Sequence, residues 1–84
     1  MFYGLSDNEI LVLENYNHEI LHTLFVFYPI DIIFLDDKKK VIEIKRNIKP
    51  FTLKITPKKP AKYVLEAKSG NTKNIKIGQI IKIT

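Results

Sequence analysis

The chain has no cysteine and no tryptophan, only one methionine and one arginine, and just three glycines and four prolines in 84 residues. Without cysteine there is no disulfide framework, no thiolate zinc site and no iron–sulfur cluster, so the fold must hold on packing alone. A cysteine-free chain suits a reducing compartment, and a cytoplasmic location is expected. Gly4, Gly70 and Gly78 are scattered, which excludes a glycine-rich phosphate loop and leaves Gly70 and Gly78 as turn residues needing positive φ. The longest uncharged apolar run, Leu24 to Ile30, falls far short of the roughly 20 residues a spanning helix requires, and no membrane partner is expected. The opening MFYGLSDNEI lacks the basic and apolar regions of a signal peptide, so the chain is expected to stay where it is made. The length allows one core and therefore a single domain over residues 1–84, and it excludes a cofactor fold built from two βαβ halves.

What is present is unevenly distributed. Residues 1–37 carry seven acids and no Lys or Arg, whereas residues 38–84 carry all 14 basic residues against Glu43 and Glu66. Two halves interleaved in one sheet would cancel much of that difference in space. Alternatively a basic face, with Lys45, Arg46, Lys54, Lys58, Lys59 and Lys62 as candidates, would attract nucleic acid or an acidic partner by Coulomb steering. One arginine counts against guanine readout, since guanidinium is the usual bidentate donor. Lysine and isoleucine abundance fits an AT-rich or heat-adapted source.

The pattern from residue 30 onward is β. Ile30–Leu35 is apolar on both faces except at Asp31, as in a covered central strand. Residues 36–40 form a polar break of hairpin length, and Val41–Arg46 resumes with Ile42 and Ile44 on one face, giving a hairpin over Ile30–Arg46. Phe51, Leu53 and Ile55 alternate with polar residues between Pro50 and Pro57, and Tyr63–Ala67 alternates again before the Ser69-Gly70-Asn71 turn. Asn71–Asn74 is expected to make one helical turn, and Ile75–Ile83 to return as a strand around Gly78-Gln79. Before residue 30, Ser6-Asp7-Asn8-Glu9 fits a capping box and a helix over Asp7–Leu24 is conceivable, but Asn15-Tyr16-Asn17 interrupts it and strand, loop, strand is favoured. The expected fold is all-β or mainly β, a small barrel or sandwich of six to seven short strands with at most one or two helical turns.

Two constellations could carry chemistry. His18-Glu19-Ile20-Leu21-His22 matches HExxH, which on a helix brings two histidines to one zinc with Glu as general base. On a strand the two histidines lie roughly 13 Å apart and cannot share an ion. The following Thr23–Pro29 reads as strand, so the zinc hydrolase reading is disfavoured and no metal or other cofactor is expected. Asp31 is a carboxylate in an apolar strand and must have partners. Either it accepts hydrogen bonds from backbone N–H groups, Thr23 or His22 and pins the turn at Pro29, or His22, Thr23 and Asp31 line a ligand pocket. Tyr63 or Glu66 could join that pocket, but alternation puts the two on opposite faces and admits only one.

The string LHTLFVFYPIDIIFLD over Leu21–Asp36, followed by PAKYVLEAKSG and IKIGQIIKI, resembles the domain of unknown function family numbered 192. Its two motifs fall at His22, Thr23, Pro29, Ile30, Asp31, Phe34, Leu35 and Asp36, and at Pro60, Ala61, Tyr63, Val64, Leu65, Glu66 and Gly78. Here Val26-Phe27 stands where the family often has Met-Arg, and Gln79 replaces the usual Asp. The resemblance implies a compact β barrel or sandwich with no established activity, and a site using His22 without His18. It also implies that roughly 20 family residues are missing upstream; a missing opening strand would expose an edge that small β proteins cover by pairing, so a homodimer is expected. The functional expectation is a small binding or structural module for a small ligand or protein partner, not an enzyme. Its pocket candidates are His22, Thr23, Asp31 and Tyr63, with a nucleic-acid-binding barrel as the alternative.

Overall fold

The computed structural model describes residues 10–13, 28–49 and 55–82. Within them four strands form one antiparallel sheet: β1 (Ile10–Leu13), β2 (Ile30–Leu35), β3 (Val41–Ile48) and β4 (Tyr63–Lys68), in the order β1-β4-β2-β3. The fold is thus small and mainly β, and the described residues hold four strands where six to seven were expected over the whole chain. The described residues contain no helix.

β2 is the central strand that its sequence announced, buried along its whole length between β3 and β4. Ile30, Ile32 and Phe34 face one way and pack with Ile55, Ala61 and Val64. Ile33 and Leu35 face the other way and pack with Val41 and Leu65. Each such side chain contributes about 1.5–3 kcal/mol when fully buried, and truncating Phe34 to alanine would cost about 3–5 kcal/mol. β4 was expected to alternate, yet Val64, Leu65, Glu66 and Ala67 are all buried. The reason is topological: β4 lies between β1 and β2, and both of its faces carry packed layers.

The β2–β3 hairpin runs as expected and continues two residues beyond Arg46 to Ile48. Its turn is organised by Asp36, whose Oδ1 accepts the N–H groups of Lys38 and Lys40, both at 2.9 Å. Lys39 takes positive φ at the turn. Those two N–H donors, Lys40 first, hold the Asp36 carboxyl below its ordinary pKa.

The C-terminal segment departs from expectation. Gly78 makes the expected turn at φ 90°, but the residues on either side of it touch the sheet through an isolated bridge between Lys40 and Ile80 and not as a strand. In place of the helical turn expected over Asn71–Asn74 there are two successive tight turns, over residues 68–71 and 72–75, closed by Asn71 N–H donating to Lys68 O and Ile75 N–H to Thr72 O. Of the ambiguous opening, residues 10–13 are strand. The helix considered for Asp7–Leu24 otherwise falls outside the described residues, and so does most of the strand expected over Phe51–Ile55.

Candidate functional site

The polar centre of the sheet is built on Asp31. Between the pairs Ile30–Ile48 and Ile32–Lys45, one residue of β2 faces two of β3, so Arg46 and Asn47 form a bulge opposite Asp31. Asn47 adopts φ 55°, a conformation asparagine tolerates better than most residues. That conformation lets the Asn47 N–H donate to Asp31 Oδ1 at 2.8 Å. The other carboxylate oxygen, Oδ2, accepts the Thr72 hydroxyl at 2.7 Å and the Gly70 N–H at 3.2 Å. Asp31 is 1% exposed and Thr72 2% exposed. A carboxylate removed from water is tolerable only when such donors replace it.

Arg46 closes the same loop from the other side. Its guanidinium donates to the carbonyl oxygens of Thr72 at 2.9 Å and Ile75 at 2.7 Å. Ser69 adds an N–H bond to the Pro29 carbonyl and a hydroxyl bond to Asn47 Oδ1. Residues 69–75 are thereby bound to β2 and β3, and the partners of Asp31 come from Asn47, Gly70 and Thr72. Sequence reading missed these three. The available signals were an asparagine at the end of a strand and a Gly70 turn just before Thr72.

The other pocket candidates are placed as follows. Tyr63 shares the face of Asp31 but pairs with Leu35, four residues along β2, so the two sit roughly 13 Å apart and are not brought together. Lys39 Nζ stands 5.7 Å from the Tyr63 ring centre, a cation–π contact. His22 and Thr23 lie outside the described residues, as does His18. The described residues contain no group of three or more His, Cys, Asp or Glu side chains that could hold a metal.

Of the six basic candidates, three meet. Lys45 on β3 and Lys58 and Lys59 on the connection to β4 line a groove of about 350 Å³ whose floor includes Ile42 and Ile44. Glu43 stands among them, its Oε1 accepting the Lys58 N–H at 2.7 Å and its Oε2 paired with Lys45 Nζ at 3.0 Å. Burial alone would raise the Glu43 carboxyl, but the Lys58 N–H and the Lys45 ammonium outweigh it and hold its pKa below the ordinary value. Arg46 is absorbed by the 72–75 carbonyls, and Lys62 is exposed while its N–H pairs with the Leu35 carbonyl. Lys54 lies outside the described residues.

Glu66 sits on the opposite face from Tyr63, as alternation requires. It is 5% exposed, pairs across the sheet with Ile32, and has no hydrogen-bond partner among the described residues. Burial pushes its pKa up to about 7.

A family model, DUF192, described as an uncharacterised ACR, matches residues 4–83. A UPF0127 protein of Pyrococcus abyssi is 37% identical over 68 residues, which is 81% of this chain and 56% of that protein. Another from Pyrococcus furiosus is 38% identical over 61 residues, covering 73% and 51%. Among solved structures, a protein of unknown function from Novosphingobium aromaticivorans matches with a TM-score of 0.78 at 25% identity, covering 89% of this chain and 57% of that one. The chain therefore spans about half the length of the curated relatives it matches.

Proposed function

Because the chain belongs to the DUF192 family, whose matched relatives name no reaction, we propose from the site itself that it is a binding module with an anionic partner. The contact surface is the groove beside β3, and the partner chemistry is the phosphate backbone of a nucleic acid. One observation carries this reading: lysines from two separate segments, Lys45 and the pair Lys58 and Lys59, converge on one groove. Asp31 supports it indirectly. Its oxygens are occupied by Asn47, Gly70 and Thr72, so it serves as a clamp that fixes the frame of β3.

The chemistry limits what such a groove reads. Lysine is a point charge without the planar fork that recognises guanine, and the one arginine is engaged internally. Phosphate contact without base readout gives binding that is sequence-tolerant and salt-dependent. Glu43 offsets part of the charge and orients Lys45, so the groove is a positioned cluster and not a diffuse basic face.

A salt titration with a labelled single-stranded oligonucleotide tests the reading. Three phosphate contacts correspond to a slope of log K against log salt of about −2, and Lys58→Glu with Lys59→Glu should flatten it. Binding that ignores salt, or that survives both substitutions unchanged, would overturn it.

A further inference from the structure

Two of the three large hydrophobic side chains exposed among the described residues stand three positions apart. Ile77 is 62% exposed and Ile80 is 63% exposed. Ile77 lies within, and Ile80 just after, a turn closed by the Gln79 N–H donating to the Lys76 carbonyl, with Gly78 at φ 90° in the third position, where a type II turn requires it. Ile77 therefore occupies the tip.

The turn is held rigidly against the sheet. The Gly78 N–H donates to the Val41 carbonyl and the Val41 N–H to the Gln79 carbonyl, both at 2.8 Å. The Ile81 N–H donates to the Lys39 carbonyl at 2.9 Å, and the Lys76 N–H to Gln79 Oε1 at 3.1 Å. A turn so bound presents its side chains in fixed positions. It sits against the tip of the β2–β3 hairpin, through the bridge between Lys40 and Ile80.

The charge on the segments that carry the two isoleucines is predominantly positive. Lys38, Lys40, Lys76 and Lys82 are all exposed on these two segments, against Asp37 as the exposed acid. Asp36 is also partly exposed, its Oδ1 accepting the N–H groups of Lys38 and Lys40, so the two segments carry four exposed lysines against two carboxylates. Two exposed apolar side chains on segments rich in exposed lysines suit a surface with anionic headgroups above an apolar layer.

We propose that this rim, Ile77 and Ile80 with Lys38, Lys40, Lys76 and Lys82, docks the protein on an anionic lipid surface. Charge complementarity selects the occupant: the lysines meet the headgroups and the isoleucines enter the acyl boundary. The absence of a long apolar run speaks against spanning a bilayer and has no bearing on lying against one. This surface is distinct from the groove at Lys45, Lys58 and Lys59, and it stands or falls separately from nucleic-acid binding.

Co-sedimentation with vesicles of phosphatidylcholine containing phosphatidylglycerol, compared with phosphatidylcholine alone, is the test. The whole chain should bind the anionic vesicles, weaken as salt rises, and lose at least ten-fold in affinity on Ile77→Ser with Ile80→Ser. The same double variant should keep its oligonucleotide binding and its thermal transition, because both side chains face solvent. As the chain has no tryptophan, Ile77→Trp supplies a clean second reading, a blue shift of emission on anionic vesicles. Absence of vesicle binding, an undiminished serine variant, an unshifted tryptophan, or equal affinity for soluble polyglutamate would each overturn the proposal.

Discussion

The Asp31 carboxylate and the Thr72 hydroxyl meet at 2.7 Å across 41 positions of sequence, both buried, and this contact ties the C-terminal loop to the central strand. It joins a residue visible in the sequence as an anomaly to one whose only signal is the Gly70 turn just before it. The bulge at Arg46 and Asn47 lies between them in the chain and is held by the same carboxylate.

Removing either partner should therefore destabilise unequally. Thr72→Val leaves Asp31 with two N–H donors and should cost about 1–2 kcal/mol, whereas Asp31→Ala strands the N–H groups of Asn47 and Gly70 and should cost about 2–5 kcal/mol. Urea unfolding measures both. Amide exchange should accelerate first at Asn47 and Gly70 in the alanine variant, and equal losses in the two variants would contradict the clamp.

Glu66 should make stability depend on pH in the direction opposite to most carboxylates. Its pKa is about 7 in the folded protein against an ordinary value of 4.5, so the folded state holds the proton more tightly than the unfolded state. The stabilisation is complete below about 4.5 and is lost as pH rises through about 7, a change on the order of 3 kcal/mol. Glu66→Gln should remove this fall between pH 5 and 8, measured as the difference between the two urea midpoints. A constant difference across that range would refute it.

Arg46 and the groove lysines should separate cleanly. Arg46→Ala removes donors to the Thr72 and Ile75 carbonyls and should lower stability by about 1–3 kcal/mol while leaving the salt slope of oligonucleotide binding intact. Lys58→Glu with Lys59→Glu should do the reverse, since exposed lysines contribute little to folding. An Arg46→Ala protein that loses the slope while still folded would place that residue in the interface.

Much of the sheet was legible because its signals are local. Ile30–Leu35 reads as a covered strand, Asp36–Lys40 as a turn, and the alternation that opposes Tyr63 to Glu66 holds in the structure. What escaped depends on tertiary placement. The Tyr63–Lys68 strand alternates on paper but is buried on both faces, because side chains pack over each face of the sheet there. The turn at Gly78 was legible, but the isoleucines around it suggested a strand, and they make only an isolated bridge at Ile80 and leave Ile77 and Ile80 in solvent. For the site, Asp31 was recognised as needing donors, but the donors lie up to 41 residues away and no spacing rule reaches them. The convergence of Lys45 with Lys58 and Lys59 was equally invisible, since it arises from how the chain returns along β3.

The most direct test of the binding account is to map an unlabelled single-stranded oligonucleotide onto the amide spectrum of the isotopically labelled protein at low salt. The account predicts shifts concentrated at Glu43, Ile44, Lys45, Lys58 and Lys59, reversed by added salt. Shifts centred instead on Asp31, Tyr63 or Glu66, or none at all, would contradict it.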